Sequence, residues 1–201
     1  MLYYEKRLKK QGFDLVIGVD EAGRGPLAGP VVAAAVALNI HRFKNRIDDS
    51  KKLSHKQRES AYLEVIDNSI FGLGIVDENI IDSINILEST RLAIQKAVDS
   101  LVEKVIFAKS TPNVFVLVDG NMRLNFPYSY LSIVEGESKS QSIAAASILA
   151  KVTRDRIMSF YDLVYPEYGF LKHKGYPTEL HRKTISKIGL SRIHRKTFSC
   201  V

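Results

Sequence analysis

Two short apolar runs in this chain each end in acid, and that pairing limits the fold more than any other feature. Val16-Ile17-Gly18-Val19 leads directly into Asp20-Glu21, and Val114-Phe115-Val116-Leu117-Val118 leads into Asp119-Gly120. A continuous β-branched and aromatic run of this kind is the pattern of a strand buried on both faces. Ionised carboxylates are rarely buried unpaired, so acids in these positions do not belong to ordinary packing. In open α/β sheets, ligands bind beyond the carboxyl ends of the strands. Two acidic strand ends about 100 residues apart can therefore meet at one place.

The rest of the chain supplies a sheet for those ends to share. Val31 to Leu38 is rich in small and β-branched residues, and Phe71 to Val76 is a further strand pattern. Gly23-Arg24-Gly25-Pro26-Leu27-Ala28-Gly29-Pro30 lies between the first two strands, its glycines and prolines marking a loop. Ser54 is placed to cap a helix in which Ala61, Leu63, Val65 and Ile66 recur at near-helical spacing. Asp82 to Val102 reads as a longer amphipathic helix. Ser142 to Met158, alanine-rich and apolar at its start, reads as a helix packed inside the protein. One more amphipathic helix is expected after Pro177, to about Lys187. Strands first, then alternating helices and strands, predict an α/β fold: a mixed sheet with helices on both faces. A catalytic domain over residues 1–165 is expected, with 166–201 a small helical extension and basic tail packed on it.

At 201 residues the chain buries enough surface to fold without disulfides or a structural metal. Its one cysteine, Cys200, has no internal partner, and no Cys/His spacing suggests zinc, so a reducing cytoplasm is the expected location. No segment resembles a signal peptide, and the longest apolar run falls well below the ~20 residues of a membrane helix. Net charge is +7, with Lys6, Arg7, Lys9 and Lys10 at the start and Lys51-Lys52 in the middle. Lys172, His173, Lys174, Arg182, Lys183, Lys187, Arg192, Arg195 and Lys196 crowd the end. A basic excess suits a polyanion, because each phosphate neutralised releases a counterion. It becomes informative beside a carboxylate cluster.

Asp20, Glu21 and Asp119 are hard oxygen donors with no nearby His or Cys, a set that suits Mg2+ or Mn2+ rather than zinc. Two such ions about 4 Å apart can clamp the attacking water and leaving oxygen of a phosphodiester. Gly23 and Gly25 let a backbone approach a ligand closely, and Arg24 adds a cation. From spacing alone the loop is either a reader of a ribose 2′-hydroxyl or a phosphate cradle.

Several motifs in order resemble the bacterial type 2 ribonuclease H family. They run from Val19-Asp20-Glu21-Ala22-Gly23-Arg24-Gly25-Pro26-Leu27-Ala28-Gly29 through Asp49-Ser50-Lys51-Lys52-Leu53-Ser54, Asn85-Ile86-Leu87 and Val118-Asp119-Gly120-Asn121. Ala144-Ala145-Ala146-Ser147-Ile148-Leu149-Ala150-Lys151-Val152-Thr153-Arg154-Asp155, then Tyr168-Gly169-Phe170 and His173-Lys174-Gly175-Tyr176-Pro177, complete the series. The resemblance covers almost the whole chain. It implies a ribonuclease H-like fold with a helical C-terminal extension. It also implies hydrolysis of RNA in RNA–DNA hybrids and nicking 5′ to a ribonucleotide embedded in duplex DNA, leaving 5′-phosphate and 3′-hydroxyl ends. By that likeness Asp20, Glu21 and Asp119 are metal ligands, Gly23-Arg24-Gly25 read the 2′-hydroxyl, and Tyr176 stacks on the sugar beside the cut. The family's fourth acid is usually an Asp after a glycine; here that position is Glu137, in Val134-Glu135-Gly136-Glu137-Ser138.

Weaker candidates surround this set. Asp155 is a rival fourth acid but sits four residues after Lys151, the spacing of a helix ion pair. Lys51 and Lys52 are placed to grip phosphates from a polar loop. Ser147, Lys151 and Arg154 form one polar stripe on an apolar helix, facing either nucleic-acid backbone or solvent. His173 is left out of the catalytic set, because two-ion hydrolysis needs no histidine. The expectation is a monomeric, metal-dependent endoribonuclease acting on nucleic acid. A junction nuclease of the same fold acting on DNA alone, and a non-catalytic hybrid-binding protein, are the alternatives.

Overall fold

The computed structural model describes residues 1–40, 42–108 and 111–199, so Cys200, expected above to form no internal bridge, lies outside the described residues. In chain order the elements are α1 (Tyr3–Lys10), β1 (Leu15–Ala22), β2 (Val31–Leu38), α2 (His55–Asp67), β3 (Ser69–Val76), α3 (Glu78–Ala108), β4 (Val114–Asp119) and β5 (Ser129–Ile133). Then follow α4 (Gly136–Lys139), α5 (Gln141–Val164), a 3-10 turn (Pro166–Tyr168), α6 (Phe170–His173) and α7 (Glu179–Ile188). The strands form one mixed sheet in the order β3-β2-β1-β4-β5. β2 runs antiparallel to both β1 and β3, whereas β4 runs parallel to β1 and β5. The register Val19↔Val118 puts the next residues, Asp20 and Asp119, side by side on neighbouring strands.

Strand periodicity sends alternate side chains to opposite faces. Ile17, Val19, Ala33, Val116 and Val118 pack on Ala93, Ile94, Ala97 and Leu101 of α3. Ala34 and Val36 pack on α2 and α5, while Val16 and Leu117 meet Leu8 of α1 and Ile143 of α5. The expected layering, helices on both faces, is therefore present. Among the described residues no helix is long and apolar enough to cross a membrane.

Three differences from the sequence reading have physical causes. The Asp82–Val102 pattern belongs to a longer α3 that is interrupted at Asn85, whose φ of 65° is left-handed. Asn85 Oδ1 accepts from the amides of Leu87 and Glu88, so it caps the helix that restarts there. β1 continues through Asp20 and Glu21, which are its last residues but one and two rather than residues beyond it. α1 and β5 are elements that the sequence reading did not include. α1 is fixed by tertiary contact: Glu5 is buried and accepts from Ser140 Oγ (2.7 Å), Ser142 N (3.0 Å) and Ser142 Oγ (2.9 Å) at the start of α5.

Close helix–sheet approach depends on missing side chains. A Cβ on Gly18 of β1 would lie 2.2 Å from the carbonyl carbon of Ser142 and 2.3 Å from Ile143 N. Neither backbone atom can move without shifting α5. Gly18→Ala is therefore expected to cost about 3 kcal/mol of stability, read as a lower urea midpoint; an unchanged midpoint would contradict this packing.

Candidate active site

The paired strand ends bring the acids together. Asp20 is 9% exposed, and its Oδ1 accepts from the Glu21 amide at 2.7 Å. Asp119 Oδ1 accepts from the Gly136 amide at 2.7 Å, which ties β4 to the start of α4. Glu137, the next residue, is close enough to the Asp119 carboxyl to be shifted by it. Its Oε2 is buried with no hydrogen-bond partner.

Such crowding is electrostatically costly. Burial, and behind it the charges of Glu21 and Asp119, raises the Asp20 carboxyl well above the ordinary aspartate range, against hydrogen bonds from Ser147 and the Glu21 amide. Burial also raises Glu21, opposed by Arg24, whose Nη1 lies 3.3 Å from Oε1, and by Lys51. Burial raises Glu137 too, followed by the neighbouring Asp119 carboxyl.

The donor chemistry fits a hard divalent cation. The four groups are all carboxylates, they repel one another, and one buried oxygen has no partner. Among the described residues, no group of three His, Cys, Asp or Glu side chains is already arranged to hold a metal ion.

A cavity of about 420 Å³ opens beside these acids. Asp20, Glu21, Gly23, Arg24, Gly25, Lys51, Ser147, Lys151 and Tyr176 all line it, so most of the expected substrate contacts are brought together. Glu21 and Arg24 also line a second cleft of about 360 Å³, which carries Asp119, Arg91 and Arg123. Arg91 and Arg123 had no distinguishing spacing in the sequence.

Two buried arginines hold the Gly23–Pro30 loop. Arg154, 1% exposed, donates to the carbonyls of Pro30 (3.0 Å), Lys174 (2.9 Å) and Ala28 (3.0 Å). Arg195, fully buried, donates to Gly29 (3.0 and 2.8 Å), Arg24 (3.0 Å) and Gly23 (2.6 Å). Burial lowers Arg154 to about 10 and Arg195 to about 9. Because a trans peptide points its C=O and N–H in opposite directions, the amides of Arg24 and Gly25 are turned away from Arg195. The C-terminal segment closes on the same loop: Leu27 N donates to Gly175 O, Gly29 N to Ile193 O, and Arg195 N to Leu27 O, each at 2.8 Å. Tyr176 stands at the rim, 40% exposed, its ring 5.9 Å from Lys151 Nζ.

Four expectations change. Arg154 does not face nucleic acid or solvent; helical spacing gave its stripe correctly, but the guanidinium is consumed by loop carbonyls. Arg195, read as part of a basic tail, is structural for the same reason. Lys52 lies outside the cavity lining and pairs with Asp48 at 3.8 Å. Ser147 is engaged with Asp20 and with Ser50 Oγ (3.0 Å), which makes it a support for the acid. Asp155 pairs with Lys151 at 2.8 Å, as its spacing predicts.

The family model described as Ribonuclease HII matches residues 17–201. The chain belongs to the ribonuclease HII family. It is 50% identical over 202 residues to the Ribonuclease HII of Acetivibrio thermocellus, covering 99% of this chain and 75% of that one. The crystal structure of the ribonuclease H2 from Pyrococcus horikoshii superposes with a TM-score of 0.70 at 27% identity, covering 92% of this chain and 94% of that one. The Mn2+ complex of Bst-RNase HIII shares the fold, with a TM-score of 0.74 at 18% identity over 92% of this chain and 67% of that one. Family membership makes this protein a ribonuclease H-type phosphodiester hydrolase that acts on RNA–DNA hybrids.

Because the folded Asp20 carboxyl titrates above its unfolded value, its contribution to stability is retained at low pH and lost as pH rises through the folded value. In chelator at neutral pH, Asp20→Asn should therefore raise the unfolding midpoint, with the gain shrinking as pH falls toward the ordinary aspartate value of 3.8. A less stable variant at neutral pH would refute this. Arg195→Lys should lose about 2–3 kcal/mol, since one ammonium cannot serve three carbonyls in a planar fork; an unchanged denaturant midpoint would show that the clamp is dispensable.

Proposed function

We propose that this enzyme nicks 5′ to a ribonucleotide embedded in duplex DNA, as well as cutting the RNA strand of hybrids. The observation that carries the reading is a single cavity in which Asp20 and Glu21 stand opposite Gly23-Arg24-Gly25 and Tyr176. Asp20, Glu21 and Asp119 would hold two Mg2+ or Mn2+ ions, and Glu137, with an unpartnered oxygen, completes the acid set. Manganese in the Bst-RNase HIII structure supports that choice of metal. Bound there, the ions supply positive charge for the attacking and departing oxygens of the phosphodiester.

The chain's own residues do the selecting. The carbonyls of Gly23 and Arg24 are committed to Arg195, so the loop amides on the far side of those peptides are the groups offered to a ribose 2′-hydroxyl. Tyr176 gives a flat apolar face for the adjoining sugar, and Lys51, Lys151 and Arg24 meet phosphates. Water attacks phosphorus, the P–O3′ bond breaks, O3′ takes up a proton, and the ribonucleotide keeps the phosphate at its 5′ end. Residues 1–165 form the catalytic unit in this reading, and 166–201 form a clamp that carries Tyr176 and Arg195. We read the protein as a cytoplasmic monomer.

The test is a DNA duplex carrying one ribonucleotide, incubated with Mg2+ or Mn2+. Cleavage 5′ to the ribonucleotide is expected, with Asp119→Asn slower by on the order of 100-fold or more. Cleavage of all-DNA junctions instead, or binding without cleavage, would overturn the reading. Glu137→Gln should reduce the rate with little change in unfolding midpoint; full activity would remove Glu137 from the acid set.

A further inference from the structure

Behind Tyr176 lies a cluster that the reaction does not use: His173, His181 and His194 are buried together, packed with Tyr168 and Phe170. His173 and His181 stack with centroids 4.3 Å apart and planes 18° from parallel. Every ring nitrogen of the three has a partner, and the partners fix where each proton sits.

The amide of Ser191 lies 2.9 Å from His194 Nδ1, and the Ser191 hydroxyl, which can donate or accept, lies 2.7 Å from the same nitrogen. A backbone N–H can only donate, so that nitrogen is an acceptor and the proton of neutral His194 is on Nε2. His194 Nε2 is 3.0 Å from His181 Nε2, which must then accept. The proton of His181 is thereby placed on Nδ1, 2.9 Å from the carbonyl of Tyr176, a group that can only accept. His173 is fixed in the same way: Gly175 N donates to Nδ1 (3.2 Å), so Nε2–H donates to Tyr168 O (2.9 Å). The chain of bonds has one direction, from Ser191 through His194 and His181 to Tyr176.

Burial lowers all three imidazoles from their ordinary value, His194 to about 4, with the neighbouring rings adding repulsion. Asp162 acts on His173 in the opposite sense. The neutral forms therefore persist at neutral pH, and the directed chain requires that neutrality. A proton added to His181 Nε2 would face the N–H of His194.

One end of the chain holds Tyr176, and the other lies beside the residue that holds the loop. Arg195, which grips the carbonyls of Gly23 and Arg24, directly follows His194. Tyr176 is the residue whose carbonyl His181 holds. We propose that the His194–His181 relay is a positioning device that fixes Tyr176 relative to the Gly23-Arg24-Gly25 loop, and so sets the slot in which a ribonucleotide is recognised. This rests on the reading of Tyr176 and the loop as substrate readers.

The direct test is nitrogen-resolved NMR of the histidine side chains in the wild-type protein at neutral pH. Protons are expected on Nε2 of His194 and His173 and on Nδ1 of His181. A proton on Nε2 of His181, or a charged His181 or His194, would overturn the relay whether or not the protein cleaves anything. The functional arm uses His181→Leu, which removes the donor to Tyr176, and His181→Asn, whose amide can replace it. On a duplex with one ribonucleotide, His181→Leu should lower kcat/KM by about tenfold, and His181→Asn should recover most of that loss. In a Tyr176→Ala background, His181→Leu should change kcat/KM by less than about twofold, since coupled residues are not additive. Equal losses with and without Tyr176 would refute positioning through that residue. If wild-type protein fails to cleave the duplex, the functional reading falls, and the tautomers still decide the relay. If His181→Leu does not fold, the tautomers and His181→Asn carry the test.

Discussion

The parallel pairing of β1 with β4 is the constraint on which the rest depends. It joins segments about 100 residues apart and sets Asp20 beside Asp119 in consecutive register. Without it neither acid has a partner, and each would be an isolated strand-end carboxylate. With it, two charges share a part-buried place that water alone does not screen, and the fold surrounds them with donors. The Glu21 amide, the Gly136 amide and the Ser147 hydroxyl offset part of the repulsion.

The second constraint is the interior use of arginine. Arg154 and Arg195 bury two cations with no carboxylate hydrogen-bonded to either among the described residues, relying on loop and turn carbonyls instead. Burying a charge this way is costly, and removing one guanidinium would leave several carbonyls unsatisfied. The cost is spent on shape. The Gly23–Pro30 loop is held from α5 on one side and from the C-terminal segment on the other, with the amides of Arg24 and Gly25 turned away from Arg195. Tyr176 is held by the same C-terminal segment, so the acids, the loop and Tyr176 share one frame.

The acids and most of the sheet were legible because their signals are local. Strand runs, the Ser54 cap with its reciprocal Gln57 bond, and the Lys151–Asp155 spacing each depend on a few neighbouring residues. Residues whose role is set by distant partners were not legible. Helical spacing put Arg154 on a polar stripe but could not say that loop carbonyls from 124 and 126 residues away would meet it. Arg195 and His173 looked like members of a basic tail because charge counting does not see burial. β5 is made by its pairing with β4, and α1 by Glu5 reaching Ser140 and Ser142 across the chain. The order of motifs carried the family resemblance past these gaps.

The most direct test of the central claim is a crystal structure of the Asp119→Asn protein with Mg2+ and a DNA duplex containing one ribonucleotide. The account predicts the scissile phosphate beside Asp20 and Glu21, the 2′-hydroxyl within hydrogen-bonding distance of the amides of the Gly23-Arg24-Gly25 loop, and Tyr176 against the adjoining sugar. A ribonucleotide bound away from that loop, or a loop whose carbonyls rather than amides face it, would contradict the account.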